Sequence, residues 1–598
     1  MSTVVCRCKI RDCFGRLSPN ALVAILLAAW WVLNLLQAAF TGLANDEAYY
    51  WYFSQHLDWG YYDHPPMVAL LVWLSSWAPG LLGIRFVSTL LQPLYLLLFW
   101  HAVRPVDASR RDVVLYLLVC FSQPLLQLYG FMALPDAPLM MFTALFLWSY
   151  RRFAQSPHAG NAALMGLSVA LLGYSKYHGV LVVALVLMSD LRLFRRWQLY
   201  LAGLVALVLL VPHILWQQSH EWASVQYHLV GRNAWEYKPA YTLEYLATAV
   251  AIFNPLWIYH YVKGARLKWG GLHRAGLFLT AGFLLFFLVA TLRGRVQPQW
   301  LLPAALPLTA MLFHAGRQSR YVRVAGAVCA VLFVVVRLLA VVNPLHLQGE
   351  IWEGREPYDK VAAIADGRPV QFYGCYSFAA KYAYYTGNPT HCTTYFYYRN
   401  NQWQYDTTDR TFAGREVLAA DLGEMRGTKV PLTPRRTLRY TVVNDYRPMR
   451  ELHAELLQPL DLNLPLLPRA DTAKPADSLP PFSLTVAVRN PYPYDICSSP
   501  ESPVLVRLFF HVDERHAPSA TGMLTDTLRA GMVTVLEQQF ALRSVLPDGE
   551  HASGIAIGYT YAAPPCNSRV AKRAVILDGD TLRITETDKT QQTHAERH

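Results

Sequence analysis

The chain has 598 residues, 54% of them hydrophobic and 16% charged, and the apolar share is concentrated before residue 343. This is too apolar for an ordinary soluble multidomain protein and places the N-terminal half in a bilayer. The formal net charge of +12 does not imply a nucleic-acid partner, because no Lys/Arg stripe interleaved with aromatics occurs and the basic residues fall mostly between apolar runs.

The N-terminus is basic (Arg7, Lys9, Arg11, Arg16), and its Cys6 and Cys8 lack the further partners a zinc site needs. Apolar runs then follow near 21–40, 83–103, 112–129, 136–152, 197–216, 243–262, 274–292, 298–315 and 321–343. The stretch 161–189 is too long for one crossing and is interrupted at Gly173-Tyr174-Ser175-Lys176, so it reads as two short helices. The fold class expected is a polytopic α-helical membrane protein with about eleven transmembrane helices. The charges support that register. With the N-terminus inside, each inside loop is basic: Arg104, Arg110 and Arg111; Arg151 and Arg152; Arg192, Arg195 and Arg196; Lys263, Arg266, Lys268 and Arg274; Arg317, Arg320 and Arg323.

The first outward loop begins Asn45-Asp46-Glu47-Ala48-Tyr49-Tyr50 and continues through Tyr62-Asp63-His64-Pro65-Pro66. Its aromatic density fits a helix in the membrane interface. A carboxylate near the apolar edge holds a proton more readily than one in water, which suits it to accept a proton from a hydroxyl. Asp46 is the better candidate base and Glu47 the supporting one. The competing structural explanation is that both acids complement the dipole at a helix start.

Further along, Asp136 lies in Leu134-Pro135-Asp136-Ala137-Pro138 at the mouth of the next span, where an N-cap role is equally compatible. Lys176 is a cation at membrane depth. His228 and Arg232, four residues apart in the loop 217–242, share a face if that segment is helical. With Asp63 and His64 they offer donors for a metal or a phosphate, although the spacing is no metal signature. Arg293 and Arg295 stand in a short outward loop, against the charge rule, and suit an anionic head group.

After residue 344, short Val/Tyr/Phe-rich runs separated by Gly, Pro, Asn and Asp replace the long apolar ones. The domains expected are a transmembrane domain over 1–343, an α/β unit over 344–461 with a helix around 377–385, a Pro-rich linker 462–481, a β-sandwich over 482–585 and a disordered tail 586–598. An odd number of spans puts the C-terminal domains outside. Cys375, Cys392, Cys497 and Cys566 then fit disulfides, with Cys375–Cys392 and Cys497–Cys566 favoured among three connectivities.

The ordered motifs Asn45-Asp46-Glu47-Ala48-Tyr49-Tyr50, Tyr62-Asp63-His64-Pro65-Pro66, Pro135-Asp136-Ala137-Pro138, Tyr174-Ser175-Lys176-Tyr177-His178-Gly179 and Arg295-Val296-Gln297-Pro298-Gln299-Trp300 resemble those of the GT-C membrane glycosyltransferases. These include the protein O-mannosyltransferases and the lipid A aminoarabinose transferases. The resemblance implies transfer of a hexose or pentose from a polyprenyl-phosphate donor to a hydroxyl acceptor, on lipid A, another envelope glycan or a protein, with inversion. It implies Asp46 as the essential acid, Asp136 as a second, and Arg232, Arg293 and Arg295 as phosphate contacts beside His64 and Lys176. His64 falls where the aminoarabinose branch has Lys. Asp63 and His228 match positions that hold a divalent metal in that branch. The location implied is the bacterial inner membrane, multi-pass, with the C-terminal domains periplasmic. A transporter of a lipid-linked or glycan substrate is the competing class, disfavoured because no internal repeat is visible.

Overall fold

The computed structural model describes residues 17–231, 237–395, 400–423, 425–457, 461–463, 482–510, 519–542, 549–562, 573–578 and 581–586. The chain divides into two compact units: Met1–Val225 with Arg232–Glu353, and Gln226–Gly231 with Gly354–His598.

The first unit is helical. Its main elements are α1 (Pro19–Phe40), α2 (Asn45–Gln55), α3 (Met67–Ser75), α4 (Leu82–Val103), α5 (Arg110–Phe121), α6 (Pro124–Leu128), α7 (Asp136–Gln155) and α8 (Ala159–Ser175). They continue as α9 (His178–Met188), α10 (Trp197–Ser219), α11 (Pro239–Ile252), α12 (Ile258–Arg266), α13 (His273–Ala290), α14 (Leu302–Gly316) and α15 (Arg320–Val342). Among the described residues, α1, α4, α10, α13 and α15 are long and apolar enough to cross a membrane.

Every apolar run read from the sequence is helical, but two are broken. The run 112–129 stops at Phe121 and restarts at Pro124, because proline has no N–H for the helix to use. The run 243–262 breaks at Asn254, whose φ is 60°, ahead of Pro255. The expected break inside 161–189 occurs at Lys176, between α8 and α9. Helix starts follow their caps: Ser18 accepts from the Ala21 N–H ahead of Pro19, and Ser109 and Asp112 close a capping box on α5.

Burial orders the bundle. In α14 nearly every side chain is buried, and a helix apolar all round belongs in the interior. Trp100, Tyr116 and Phe313 pack there as an aromatic cluster with centroids 5.1 to 5.9 Å apart. Gly264 lets α12 lie against α14, since a Cβ at this position would meet the Met311 carbonyl oxygen at 2.2 Å. By contrast α15 shows most of its surface and carries an exposed Val/Leu face.

The second unit holds two sheets. α16 (Glu356–Ala365) and α17 (Tyr376–Thr386) accompany a five-stranded mixed sheet of order β2-β1-β3-β5-β4, built from β1 (Val370–Tyr373), β2 (Thr390–Thr393), β3 (Val417–Asp421), β4 (Thr428–Thr433) and β5 (Arg436–Val443). The larger sheet uses β6 (His453–Leu456), β7 (Asp461–Asn463), β8 (Phe482–Arg489), β9 (Val504–Phe510), β10 (Ser519–Met523), β11 (Val533–Leu542), β12 (Gly549–Tyr559), β13 (Arg573–Asp578) and β14 (Thr581–Glu586). Their pairing is continuous and antiparallel in the order β6-β8-β11-β10-β9-β12-β13-β14-β7, where separate sheets of a sandwich were expected. Two of its strands, β6 and β7, precede most of the Pro-rich stretch, so this sheet begins earlier than residue 482.

The thiols of Cys375 and Cys392 are free although adjacent: Cys392 beside it and burial push the Cys375 thiol well up. Cys497 is also free, and Cys566 lies outside the described residues.

Candidate active site

The acidic pair of the first loop separates into two roles. Asp46 and Glu47 are both in the first turn of α2, but adjacent helical side chains point in different directions. Asp46 is exposed, whereas Glu47 is fully buried. Glu47 Oε1 accepts from Arg85 Nε at 2.7 Å and from the Ala133 N–H at 2.8 Å. Its Oε2 accepts from an Arg85 terminal nitrogen and from the Ala44 N–H at 3.2 Å. A carboxylate has about four acceptor positions, and all are taken.

Arg85, on α4, is equally occupied. Besides Glu47, its guanidinium donates to the carbonyls of Ala38 at 2.8 Å, Thr41 at 2.5 Å and Gly42 at 2.8 Å. Five donors meet five acceptors. This buried pair joins the end of α1, the start of α2, α4 and the loop before α7. Glu47 is therefore a clamp, with no lone pair left to take a proton from a substrate.

Asp136 is the first residue of α7, with Pro135 at the cap position and no side-chain cap bond. Its carboxylate instead receives Lys176 Nζ at 2.8 and 2.9 Å, and both side chains are nearly excluded from solvent. Lys176 reaches it because the chain leaves α8 there. Charge buried this deeply is kept only when paired. The bond from the Ala133 N–H to Glu47 ties the first turn of α2, which carries Asp46, to the loop three residues before Asp136.

The rest of the first loop is pinned to α10. Trp216 Nε1 donates to Asp58 at 2.7 Å, and His213 Nδ1 stands 2.7 Å from the Trp59 carbonyl. The Ser224 hydroxyl donates to the Tyr61 carbonyl at 2.7 Å. Tyr61 stacks on Phe53 at 4.2 Å, and its single hydroxyl proton is shared between the Phe53 and His56 carbonyls at 3.1 and 3.0 Å. His64 Nε2 is 3.0 Å from the Tyr50 hydroxyl, and buried Asp63 lies near the Tyr177 phenol.

The remaining phosphate candidates are less gathered. Arg295 is exposed and paired with Glu244 on α11, Nε to Oε2 at 2.9 Å, and Arg293 is exposed in the same loop. Arg232 lies outside the described residues. His228 falls in the π-helical turn Tyr227–Gly231, which groups with the second unit, while Asp63 belongs to the first. Among the described residues, no group of three or more His, Cys, Asp or Glu side chains is arranged to hold a metal.

Three residues of this region escaped the sequence reading. Arg85 and Arg337 lie inside apolar runs, where an ionisable group at membrane depth is itself the signal that finds them. Glu350, after α15, accepts the Asn45 N–H at 2.9 Å, and the Gly42 N–H donates to the Ile351 carbonyl at 2.8 Å. The segment after α15 thus returns to the start of α2, adding an acid beside Asp46.

Comparison with known proteins bears on this arrangement. A family model described as dolichyl-phosphate-mannose-protein mannosyltransferase matches residues 63–216. The ArnT crystal structure from Cupriavidus metallidurans, in its apo state, superimposes with a TM-score of 0.51 at 15% identity, covering 70% of this chain and 97% of ArnT. The chain has the fold of this GT-C glycosyltransferase.

Two curated relatives from Rhizobium johnstonii are similar over a portion of the sequence. The lipid A galacturonosyltransferase RgtD is 30% identical over 35% of this chain and 46% of its own length. The lipopolysaccharide core galacturonosyltransferase RgtA is 31% identical over 33% of this chain and 42% of its own length. The chain thus spans under half the length of the curated relatives it matches. The same ArnT bound to undecaprenyl phosphate also superimposes with a TM-score of 0.51 at 15% identity, over 71% of this chain and 99% of that one. At such identity the likeness carries the fold alone.

Proposed function

We propose that this GT-C protein transfers a sugar from a polyprenyl-phosphate donor to a hydroxyl acceptor at the outward membrane face. One observation carries the reading: an exposed acid, Asp46, stands in the turn that the Glu47–Arg85 clamp ties to the loop before Asp136, which is itself buried against Lys176.

The acceptor oxygen attacks the anomeric carbon while Asp46 takes the hydroxyl proton. The bond from that carbon to the phosphate oxygen breaks, and its electron pair leaves on the polyprenyl phosphate. Cations stabilise the departing phosphate; Lys176, Arg293, Arg295, Arg232 and His64 are the candidates. Lys176 is held by Asp136, so the pair acts as one element that keeps the ammonium in place. A divalent metal, if the reaction uses one, would neutralise phosphate charge; Asp63 and His228 carry the donor types it takes.

The names of RgtD and RgtA favour an envelope glycolipid, lipid A or its core, as acceptor and a hexuronic acid as the sugar. The surroundings proposed are a bacterial inner membrane, crossed about eleven times, with the second unit on the periplasmic side. The test is to incubate the purified chain in lipid vesicles with polyprenyl-phosphate sugars and lipid A, core glycan or protein. Mass gain of a glycolipid is the expected product. Movement of substrate across the vesicle wall with no covalent product would instead identify a transporter.

A further inference from the structure

The helix that bears Asp46 begins without a side-chain cap of its own. α2 follows Ala44, whose methyl group offers no acceptor to the unpaired N–H groups that a helix start presents. Asn45, the first residue of α2, donates its N–H to Glu350 Oε2 at 2.9 Å, an acid 305 residues further along the chain. A carboxylate placed there also meets the positive end of the helix dipole. The residue so held is the immediate neighbour of Asp46. A second bond fixes the chain ahead of the cap. The Gly42 N–H donates to the Ile351 carbonyl at 2.8 Å, while the Gly42 carbonyl accepts from Arg85 at 2.8 Å. The two backbones approach so closely that a Cβ on Gly42 would come within 2.6 Å of the Ile351 oxygen. Gly42 is thus gripped from one side by the clamp and from the other by the segment after α15.

That segment has a fixed base. α15 ends at Asn343, where φ is 48°, and the Asn343 side chain donates to the Leu347 carbonyl at 3.0 Å and accepts from the Leu347 N–H at 2.8 Å. Trp352 Nε1 reaches back to the Ala340 carbonyl at 2.8 Å, so the chain folds against the last turn of its own helix before it meets α2. One turn further up α15, the buried Arg337 donates to Asn34 at 2.8 Å and to Gln37, both on α1, and to Gln127 on α6 at 3.3 Å. α15 is therefore tied to α1, and residues 343–353 carry that attachment across to the start of α2.

We propose that residues 343–353 are a strap that orients Asp46, with Glu350 as its positioning residue. The inference rests on the reading of Asp46 as the base, because the direction of that carboxylate matters only if it takes the acceptor's proton. Asn45 and Asp46 share the first turn of α2, so a turn that loses its hold on Glu350 carries the Asp46 carboxylate with it. A displacement of about 1 Å in a reacting group can lower a rate by on the order of a hundredfold. Glu350 moves no proton in this scheme; its part is to fix the backbone.

The test pairs amide exchange over residues 42–48 with turnover of the full chain in lipid vesicles, using undecaprenyl-phosphate-linked galacturonic acid and lipid A. Glu350→Ala should accelerate that exchange and lower kcat by about tenfold or more, with KM for the donor within about twofold of wild type. Glu350→Gln keeps an oxygen for the Asn45 N–H and should recover most of the lost kcat, a rescue that loss of general stability would not give. Gly42→Ala displaces Ile351 without touching Glu350, and it should shift exchange and kcat in the same direction; it decides alone if Glu350→Ala does not fold. Unchanged exchange and kcat in Glu350→Ala would overturn the proposal. So would faster exchange with kcat intact while Asp46→Asn loses turnover, and in that case the base reading would stand. Wild-type turnover by Asp46→Asn would overturn the base reading, and the strap's role with it, whatever the exchange shows.

Discussion

Two neighbouring carboxylates in one helical turn have opposite fates, and their surroundings decide which. Glu47 is enclosed by donors from three segments, whereas Asp46 is exposed. Arg85→Met leaves the Glu47 charge buried without its counter-ion and should cost about 3–5 kcal/mol of stability. Thermal unfolding in detergent would read that as a large fall in Tm. Arg85→Lys should recover only a fraction of it, because a lysine ammonium has three donors where the guanidinium places five. Lys176→Met should likewise destabilise the protein and lower kcat, and Asp136→Asn combined with it should restore stability more than turnover. A return of full turnover in that double variant would remove the pair from the reaction.

The helices themselves were legible because apolar runs of bilayer length have few alternatives, and the break at Lys176 followed from glycine and a charge interrupting one such run. The breaks at Ser122-Gln123 and Asn254 were less so: proline marks where a helix must yield, but packing decides whether it kinks or stops. Asp46 and Asp136 were readable as acids at helix starts beside apolar runs. The Arg85 clamp was not, since a partner 38 residues away is a property of tertiary packing. Hydrogen bonding also makes the first loop an attachment to α10. His213→Phe removes the contact with the Trp59 carbonyl, and amide exchange over residues 56–66 should then accelerate while α2 is unaffected. Equal exchange in both proteins would show that the tether does not order the loop.

At the scale of the whole molecule, the two units answer to different solvents. The second unit has its own titrating core group: burial holds the His391 imidazole below its ordinary 6.5, with Gln371 and the Trp403 carbonyl beside it at 3.3 and 3.2 Å. Asp409, Asp406 and Arg450 are the charges near it. A depressed imidazole value means the unfolded chain takes up a proton first. Stability is therefore full above pH 6.5 and is lost as pH falls below it. Unfolding of the second unit, followed by exchange in β1 and β2, should move to lower temperature between about pH 7 and about pH 5, and His391→Gln should flatten that slope. The strand content of this unit was visible in its alternating runs, but its continuous pairing and the early strands β6 and β7 were not, because three- and four-residue strands carry too little periodicity to read.

The whole arrangement exists, on this account, to set one carboxylate at the outward face. Asp46→Asn is nearly isosteric, leaves the Glu47–Arg85 clamp untouched and removes only the proposed base. With a polyprenyl-phosphate sugar and a glycolipid acceptor, release of polyprenyl phosphate by the variant should fall by about a hundredfold or more while its Tm matches wild type. Wild-type turnover in a folded Asp46→Asn protein would contradict the account.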